Sequence, residues 1–593
     1  MELLLERREA LEAEYEETVR GDIELFREKA QAVLEGRITE DEFRPFRLRR
    51  GIYGQRQAGV QMVRTKIPSG LLTARQLRQL AGIADQFAGG LGHLTTRQNV
   101  QFHFVPLARV ADLLHMLADE RLTTREACYN TVRNVTCCPL AGLAKGEVFD
   151  VRPHAQRLAL AFLHKELTDN LPRKFKITFC GCGRECTAGA INDIGLQAVM
   201  RNEEGVERRG FRMIVGGGLG PLPNEAELLD EFVPEERLIS KCEALIRVFN
   251  QHGNRKNKFK ARLKFVVRER GFTWLKEQTE KEYARILEEG GIPAPVEVPE
   301  GFGGYQSDLR PLGTGALLPV VGTNGSEGPG YARWRRTNVG EQRQPGYVTV
   351  TVRVDQGNLT SEQMRRVADI AEDGTDGLVR ITIDQNLLLA YVPATNLKRI
   401  YVALKGAGLA GAGAGEIEDI TTCPGAYSCN LGLTKSMNLG KALQETVRGY
   451  DDAEIRKLSV KISGCPNACG QHWIADFGFY GNSRKVDGKE IPYYQMLLGG
   501  GYDANGIMRF GLAVQSIAAK LAPEAVARVA EHYSRNRLEG ESFRDYVMRH
   551  KVEFFREMTN DLAKPPELFP EIYKDWGDEA DFSLKLGRGE CAA

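Results

Sequence analysis

The chain repeats itself, and this internal duplication restricts the possible folds more than any other feature of its 593 residues. Short motifs of the first half recur in the second half at an offset that falls only from 287 to 283 positions. A slowly drifting offset indicates a duplicated unit rather than a coincidence of composition. The matched pairs are 68–73 with 355–360, Gln98-Asn99 with Gln385-Asn386, Pro106 with Pro393, Cys138-Pro139 with Cys423-Pro424, Cys182 and Cys186 with Cys465 and Cys469, and Gly216–Gly218 with Gly499–Gly501.

Both copies begin with the same order of predicted secondary structure. Alternating β-branched residues predict a first strand, a Thr opens a helix, and a second strand and a second helix follow. The predicted strands are 61–67, 99–105, 347–354 and 378–392, and the predicted first helices are 73–86 and 360–372. The sequence therefore predicts a mixed α+β fold. Two small ferredoxin-like half-modules should pair across a pseudo-twofold axis, with two larger α/β modules beside them.

Composition changes along the chain divide it into six predicted segments. A charged helical extension precedes the first copy, and a stretch rich in Gly and Pro separates the two copies as a linker. The segments are 1–44 (helical extension), 45–122 (first ferredoxin-like half-module), 123–291 (first large module), 292–346 (linker), 347–411 (second half-module) and 412–593 (second large module with the C-terminal tail).

The overall charge and hydropathy exclude several classes of function. The 80 Lys and Arg residues balance 79 Asp and Glu residues, which argues against a nucleic-acid-binding protein. No stretch approaches the ~20 apolar residues of a membrane helix, and residues 1–20 lack the apolar core of a signal peptide. Twelve cysteines are too few for a disulfide scaffold. Clustered cysteines in such a chain predict metal or redox ligands in a cytoplasmic protein.

Four cysteines of the second half form a complete ligand set for a cubane iron–sulfur cluster. Cys423 and Cys429 are spaced C-x5-C, and Cys465 and Cys469 are spaced C-x3-C in the motif S-G-C-P-N-A-C-G. Cubane clusters take four Cys thiolates, and flanking Pro and Gly predict tight loops around a compact group. A zinc site or four core cysteines are the alternatives, but a spacing of five residues fits paired zinc ligands poorly.

This pattern resembles the sulfite and nitrite reductases that couple a sirohaem to a [4Fe–4S] cluster, over about residues 45–575. The resemblance implies that Cys423, Cys429, Cys465 and Cys469 bind the cluster and that Cys469 bridges it to the sirohaem iron. It also implies a six-electron reduction of sulfite to sulfide or of nitrite to ammonia, in which the cofactors perform the redox chemistry. The large modules would then bind the sirohaem and the cluster.

Cations in the first half predict a binding pocket for an oxyanion. The resemblance assigns this role to Arg64, Arg133, Lys174 and Lys176, as Arg offers planar donors and Lys offers protons. Counting by the repeat offsets, their counterparts in the second half are Thr351, Glu418, Ser459 and Lys461, so three of the four charges are missing there. One substrate pocket, built by the first half, explains this asymmetry.

A third motif, L-T-T-R-Q-N-V-Q-F-H, is assigned by the resemblance to the carboxylates of the sirohaem. Arg97, Gln101 and His103 would alternate on one side of a strand. On its own, His103 is more typical of a core histidine. The basic run 255–264 has two interpretations: a solvated helix face, or further contacts to the sirohaem or to an acidic electron donor.

The first half also carries cysteines that the resemblance does not explain, namely Cys137, Cys138, Cys180, Cys182 and Cys186. We favour remnants of a lost pseudo-symmetric site, with a second metal as the alternative.

The substrate and the electron donor are less well specified. The chain has no flavin or nicotinamide module, so a reduced ferredoxin, or else a separate flavoprotein, should supply the electrons. Cys137, four residues after Arg133, resembles the sulfite reductases, whereas P-L-A-G at 139–142 and F-D-V-R-P at 149–153 resemble ferredoxin nitrite reductases. We expect sulfite as the substrate, with nitrite as the alternative. A non-catalytic sirohaem-binding protein and a zinc-binding protein are further alternatives.

Overall fold

The computed structural model describes residues 2–293, 298, 301–302, 328–503, 506–585, 587 and 589–590, and for residues 2–15 it describes the backbone only. Within these residues, no helix is both long and apolar enough to cross a membrane. The elements fall into two copies of a small module and two copies of a large one.

The first half-module follows a long N-terminal helix whose second part packs on it through Ile23, Phe26 and Ala30. Its elements are α1 (Glu2–Leu34), α2 (Glu40–Arg49), β1 (Ile52–Gly54), β2 (Val60–Arg64), β3 (Leu71–Thr73), α3 (Ala74–Phe87), β4 (Leu91–Leu94), β5 (Val100–Pro106) and α4 (Val110–Asp119). The second half-module repeats this order from α2 onwards. Its elements are α10 (Pro329–Asn338), β11 (Val339–Glu341), β12 (Tyr347–Val352), β13 (Asn358–Thr360), α11 (Ser361–Gly374), β14 (Leu378–Ile381), β15 (Leu387–Pro393) and α12 (Leu397–Gly406).

The large modules each contain a five-stranded mixed sheet backed by helices. The first comprises β6 (Thr136–Cys137), α5 (Arg152–Ala161), α6 (Glu166–Asp169), β7 (Ile177–Cys180), β8 (Ile194–Glu203), β9 (Val206–Val215), β10 (Glu227–Pro234), α7 (Leu238–His252), α8 (Leu263–Arg270) and α9 (Phe272–Glu288). The second comprises β16 (Thr421–Thr422), α13 (Ser436–Val447), α14 (Ala453–Arg456), β17 (Val460–Ser463), β18 (Phe477–Val486), β19 (Lys489–Leu498), β20 (Gly501–Tyr502), β21 (Met508–Arg509), β22 (Leu512–Ala518), α15 (Ala522–Asn536), α16 (Phe543–Met558) and α17 (Asn560–Ala563).

The predicted helix starts are confirmed by matching capping boxes. Thr73 accepts a hydrogen bond from the Gln76 backbone N–H, and the Gln76 side chain accepts one from the Thr73 N–H. Thr360 and Gln363 repeat this arrangement at the start of α11. Each box satisfies backbone donors that a helix N-terminus would otherwise leave unpaired.

The two half-modules exchange strands, so neither sheet is complete without the other copy. The first sheet has the order β1-β2-β5-β4-β13, and the second has the order β11-β12-β15-β14-β3. Leu359 of β13 pairs with Gly92 of β4, and Leu72 of β3 pairs with Val379 of β14. This reciprocal pairing gives the predicted pseudo-twofold relation, with one shared hydrophobic core for both half-modules.

Buried glutamines at the predicted Gln-Asn motifs obey the same symmetry. The Gln98 side chain donates to the carbonyl oxygens of Cys137 and Ile381, both at 2.9 Å. Its counterpart Gln385 donates to the Leu94 carbonyl at 2.8 Å and accepts from the Thr422 N–H at 2.8 Å. Each glutamine therefore ties the half-modules to each other and to one large module.

The structure corrects two sequence predictions about elements. The predicted strand 378–392 is a hairpin of β14 and β15, whose turn includes Gln385 with φ of 67°. The predicted linker 292–346 contains α10 and β11, which are the repeat counterparts of α2 and β1. The rest of that linker lies largely outside the described residues.

Candidate functional site

The four predicted cluster cysteines lie on two loops at one edge of the second large module. Cys423 directly follows β16, and one residue separates Cys465 from the end of β17. These strands are parallel neighbours, with Thr422 opposite Ile462, so their carboxyl ends deliver both loops to the same place. Among the described residues, no three of these four sulfurs lie within 4.8 Å of one another. Cysteine sulfurs that bind the four irons of a cubane cluster must lie farther apart than sulfurs that bind a single ion.

Glycines allow the two loops to pack closely. The Gly464 N–H donates to the Cys423 sulfur at 3.2 Å, and a Cβ on Gly464 would lie 2.6 Å from the Gly425 Cα. A Cβ on Gly470 would lie 2.0 Å from the Ile462 carbonyl oxygen. The motif therefore needs glycine at 464 and 470, because the close backbone leaves no room for a side chain at either position.

Burial acts against ionisation of these thiols. It raises the pKa of Cys423 to about 12, and the neighbouring Cys469 adds to the effect. Burial also raises the pKa of Cys429 and of Cys465, again with a contribution from Cys469. The four thiols therefore ionise to thiolates only when a positively charged metal group binds them. The irons of an iron–sulfur cluster supply that charge.

The turn between β1 and β2 of the first half holds the first cysteine loop in place. The Arg56 N–H donates to the Ser428 carbonyl at 3.0 Å, and the Gln57 side chain donates to the Tyr427 carbonyl at 3.0 Å. The Arg56 guanidinium also donates to the Gly432 carbonyl and lies close enough to Cys429 to oppose the rise in its pKa. No sequence motif indicated Arg56 as a site residue.

Lys174 and Lys176 lie in the first half, within electrostatic reach of Cys469. Burial lowers the pKa of Lys174 to about 8; the nearby Cys469 opposes this shift and Arg133 adds to it. Burial, together with Arg97 and Lys174, holds the pKa of Lys176 well below its ordinary value. The predicted cations of one half and the last cluster cysteine of the other therefore surround one space.

Arg64 and Arg133 converge on the same backbone carbonyl, that of Ala127. Arg133 donates to it at 3.1 Å and to the Tyr129 carbonyl at 2.7 Å. Arg64 donates to Ala127 at 3.4 Å. With the Gln101 amide turned to accept, Arg64 also donates to its oxygen at 2.6 and 2.8 Å. Gln101 thus orients Arg64.

The predicted alternation of Arg97, Gln101 and His103 is wrong for Arg97, because β5 begins at Val100. Arg97 lies in the preceding turn, where its guanidinium donates to the Asn192 side chain at 3.0 Å and to the Ile177 carbonyl at 3.1 Å. In the same turn, the Thr96 hydroxyl donates to the Cys469 carbonyl at 3.1 Å. The turn is therefore anchored directly on the cysteine predicted to bridge the cofactors.

His103 lies beside the first cysteine loop. Its ring centroid is 6.4 Å from that of Tyr427 and 6.2 Å from that of His93. Burial lowers the pKa of His103 to about 3, with His93 and Arg64 adding to the shift. The imidazole is therefore neutral, and its Nδ1 is buried with no hydrogen-bond partner in the described part of the chain.

The basic run 255–264 divides between its two interpretations. Phe259, in its middle, is 88% exposed, as expected of a solvated segment. Arg262 and Lys264 at its end are buried instead. Arg262 donates to Asp193 at 2.7 Å and lowers the pKa of Lys174, so it belongs to the cation group. The sequence indicated the run but not which of its residues would turn inward.

This cation group lacks matching carboxylates. Among the described residues, Arg64, Arg97, Lys174 and Lys176 have no salt bridge to an acidic side chain, and Asp193 pairs with Arg262. Half-buried cations without counter-ions are costly unless an anionic group binds between them. A sirohaem, with its eight carboxylates, and a small oxyanion fit this charge, and Arg64, Arg97, Arg133, Lys174, Lys176 and Arg262 are the residues that could hold them.

The structure corrects the repeat register at the two lysines. The Lys176 N–H donates to Asp193, and the Ser459 N–H makes the equivalent bond to Asp476, 283 residues later. Ser459 is therefore the counterpart of Lys176, and Lys457 is that of Lys174. Lys457 is exposed and paired with Glu454. The conclusion that three of the four charges are absent is unchanged.

Cys137 does not face the predicted pocket. It is fully buried in the hydrophobic core of the first large module, with its N–H bonded to the Gln98 side chain at 2.9 Å. The argument that Cys137 indicates sulfite therefore fails. The Pro139 and Ala141 carbonyls accept from Arg380 of the other half, at 2.8 Å each, so this loop serves the contact between halves.

Known proteins resemble the chain over most of its length. It is 29% identical to an assimilatory ferredoxin-dependent nitrite reductase of Haloferax mediterranei, over 90% of this chain and 89% of that protein. It is 28% identical to a sulfite reductase (ferredoxin) of Mycobacterium tuberculosis, over 84% of this chain and 83% of that protein. The solved structure of the Mycobacterium tuberculosis NirA protein superposes with a TM-score of 0.73 and 26% identity, covering 88% of this chain and 92% of that one.

Two family models match both copies of the repeat. The nitrite and sulphite reductase 4Fe-4S domain matches residues 128–287 and 413–565, which is more than half of the chain. The nitrite/sulfite reductase ferredoxin-like half domain matches residues 53–120 and 340–407. The predicted family and its duplicated fold are thereby confirmed. The protein belongs to the nitrite and sulphite reductase family, as an oxidoreductase whose cofactors are a sirohaem and a [4Fe–4S] cluster.

Proposed function

We propose that this enzyme reduces sulfite to sulfide with six electrons from reduced ferredoxin. In this proposal Cys423, Cys429, Cys465 and Cys469 bind the cluster, and Cys469 bridges it to the sirohaem. The observation that carries the proposal is a group of half-buried cations around Cys469, of which Arg64, Arg97, Lys174 and Lys176 have no carboxylate partner in the described part of the chain. Such a group would bind both an anionic cofactor and an anionic substrate.

The cofactors, when bound, supply electron transfer and a metal centre for the substrate, and the side chains supply charge and protons. Arg64 and Arg133 both donate to the Ala127 carbonyl, and Arg64 also donates to Gln101. Their positive charges are therefore held in position before the anion arrives. Preorganised charge of this kind stabilises negative charge that accumulates during a reduction.

Lys174 and Lys176 are the proposed proton donors. Each substrate oxygen must leave as water, which requires protons at the anion. The pKa of Lys174 is lowered by burial to about 8, close to neutral pH, so this ammonium can give up a proton and regain it. An ordinary lysine, with a pKa near 10.4, would hold its proton more firmly.

Sulfite is favoured over nitrite on grounds of charge. Sulfite has three oxygens and carries up to two negative charges, whereas nitrite has two oxygens and one charge. A pocket in which Arg64, Lys174 and Lys176 have no acidic partner within the described ranges favours the more highly charged anion. Nitrite reduction to ammonia remains the second candidate, because the Haloferax mediterranei relative, which matches 90% of the chain, is named a nitrite reductase.

The names of both relatives support ferredoxin as the electron donor, with a separate flavoprotein as the alternative. Anaerobic turnover of the cofactor-loaded enzyme with reduced methyl viologen, and then with reduced ferredoxin, tests the proposal. We expect a kcat/KM for sulfite at least tenfold above that for nitrite. A preference for nitrite would replace sulfite by the second candidate, and no turnover of either anion would overturn the proposed function.

A further inference from the structure

A second group of four cysteines, separate in sequence from the cluster cysteines, lies in the first large module. The sulfurs of Cys138, Cys182 and Cys186 all lie within 4.8 Å of one another. The sulfur of Cys180 lies outside this set of three, but it is 3.2 Å from that of Cys186 and adjoins that of Cys182. All four are free thiols, and nothing in the proposed reaction uses them.

Their spacing suits one metal ion rather than a cubane cluster. Zinc binds thiolate sulfur at about 2.3 Å, and a tetrahedron of that size places neighbouring sulfurs about 3.8 Å apart. The limit of 4.8 Å on the three sulfurs is compatible with this value. The cluster cysteines of the second half, on loops of the same origin, are spread more widely among the described residues.

The repeat explains how this set arose. Cys138, Cys182 and Cys186 occupy the repeat positions of Cys423, Cys465 and Cys469, whereas the position of Cys429 is Ala144. Cys180, at the end of β7, stands where the second half has Ser463. The first half therefore lacks one ligand position of a cubane site and has a different cysteine close to two of the remaining three.

The backbone around these cysteines is fixed by hydrogen bonds. The Gln197 side chain donates to the carbonyl oxygens of Cys182 at 3.2 Å and Gly183 at 2.8 Å. The Val148 N–H donates to the Gly181 carbonyl at 2.8 Å. Cys186 is exposed and Cys182 is half-buried, so an ion can reach the sulfurs from solvent.

We propose that Cys138, Cys180, Cys182 and Cys186 bind a single zinc ion in a tetrahedral, structural site. Four protein ligands leave no open position for a substrate, which distinguishes a structural zinc from a catalytic one. Tetrahedral thiolate sets select zinc among the common non-redox ions.

The proposed zinc would stiffen a contact between the two halves of the chain. The loop that contains Cys182 and Cys186 packs against the β20–β21 hairpin of the second large module. A Cβ on Gly506 of this hairpin would lie 3.3 Å from the Arg184 Cγ. Beside this contact, Ala188 and Ala190 share a small apolar cluster with Ala468 and Met508 of the second half. Zinc would thus fix a loop next to the segment that carries Cys469.

The test is the metal content of the purified, cofactor-loaded enzyme, measured by mass spectrometry after dialysis against a weak chelator. We expect about one zinc per chain in addition to the cofactor iron, and a zinc absorption edge that reports four sulfur neighbours at about 2.3 Å. Cys186→Ser, an exposed position that should not prevent folding, should lower the retained zinc at least fivefold while the sirohaem absorbance stays unchanged. Cys242→Ser, which removes a buried thiol of α7, is the matched control and should keep its zinc.

Three results would overturn the proposal. The first is wild-type enzyme with less than about a tenth of a zinc per chain, and the second is zinc that persists unchanged in Cys186→Ser. The third is extra iron and acid-labile sulfide in place of zinc, which would indicate a second cluster. A Cys180–Cys186 disulfide, detected as two missing thiols in zinc-free protein, falls under the first result.

Discussion

At the scale of residues, the two halves differ in how they compensate positive charge. In the first half, Lys174 and Lys176 have no acidic partner among the described residues. In the second half, Lys457, the repeat counterpart of Lys174, pairs with Glu454 at 2.6 Å, and Arg353 pairs with Glu418 at 3.2 Å. Glu418 stands at the repeat position of Arg133. These cations of the second copy are therefore neutralised by acidic side chains, which supports the proposal of a single anion site in the first half.

Lys174→Ala should slow turnover while both cofactors remain bound. Loss of one preorganised cation should lower kcat/KM for the preferred anion roughly ten- to a hundredfold. Lys457→Ala is the matched control, because Lys457 is the repeat counterpart of Lys174 and is exposed. Steady-state kinetics with reduced methyl viologen, with iron and sirohaem content measured in parallel, check this prediction. Equal rates in the two variants would remove Lys174 from the pocket.

Asp476→Asn should stabilise the protein at alkaline pH and not at acidic pH. Burial raises the pKa of Asp476 to about 6, and the described residues offer it no salt bridge. The unfolded chain releases this proton near pH 3.8, so stability falls as pH rises through about 4 to 6. At about 1.4 kcal/mol per pKa unit, the buried charge lowers the free energy of unfolding above pH 6 by roughly 1–3 kcal/mol. The substitution removes the charge and keeps an acceptor for Ser459.

Thermal unfolding at pH 8 and pH 4.5 measures this effect. Asp193→Asn, at the equivalent position of the first half, should be destabilising at pH 8, because Asp193 pairs with Arg262 at 2.7 Å. The same sign of change for both variants at pH 8 would contradict the explanation by charge pairing.

At the scale of elements, the site depends on loops that follow parallel strands. The carboxyl ends of β16 and β17 deliver the four cluster cysteines, and those of β6 and β7 deliver the second cysteine group. The first half-module contributes two turns that contact the loops of the predicted cluster cysteines, through Arg56 and Thr96. The same architecture thus produces two cysteine sites, and their ligand spacing decides what each can bind.

Gly470→Ala should reduce the cluster content of the enzyme. The added Cβ would lie 2.0 Å from the Ile462 carbonyl oxygen, so the loop that carries Cys469 must move. We expect iron and acid-labile sulfide to fall by at least half. Gly449→Ala, in the same module with open space around its Cβ, should retain both at wild-type levels. Full cluster content in the Gly470 variant would show that the loop tolerates displacement.

Local patterns predicted the helices and strands of the half-modules, but not which strands pair with one another. The Thr-initiated helices α3 and α11 were predicted from the sequence, because capping and periodicity are encoded locally. The exchange of β3 and β13 between the two sheets was not predicted, because similar patterns in the two copies cannot specify which copy supplies an edge strand. The hairpin at 378–392 was read as one strand, because its turn needs a positive φ at Gln385 and no glycine marks it.

The candidate site was predicted unevenly for similar reasons. Cysteine spacing indicated Cys423, Cys429, Cys465 and Cys469, and the repeat asymmetry indicated the cations. Arg262 and Arg56 were missed as individual site residues, because their positions depend on long-range packing that brings distant loops together. Cys137 was misread because β6 turns its side chain into the core, an orientation that a two-residue strand does not reveal in sequence.

At the scale of the whole molecule, the proposed active site takes its parts from both halves of the duplication. The second half contains the loops of the proposed cluster cysteines, and the first half contains the cations and the turn that contacts the Cys469 carbonyl. The strand exchange and the Gln98 and Gln385 bonds keep these halves in register. The central claim is therefore functional asymmetry within a symmetric fold.

The measurement that tests this claim most directly compares Cys469→Ser with Cys186→Ser, its repeat counterpart. Electron paramagnetic resonance and visible absorbance of the purified proteins, with iron and sulfide analysis, report the sirohaem, the cluster and their coupling. The account predicts that Cys469→Ser loses the coupled cofactor spectrum and turnover, whereas Cys186→Ser keeps both cofactors coupled. A normal spectrum and activity in Cys469→Ser, or the same loss in both variants, would contradict it.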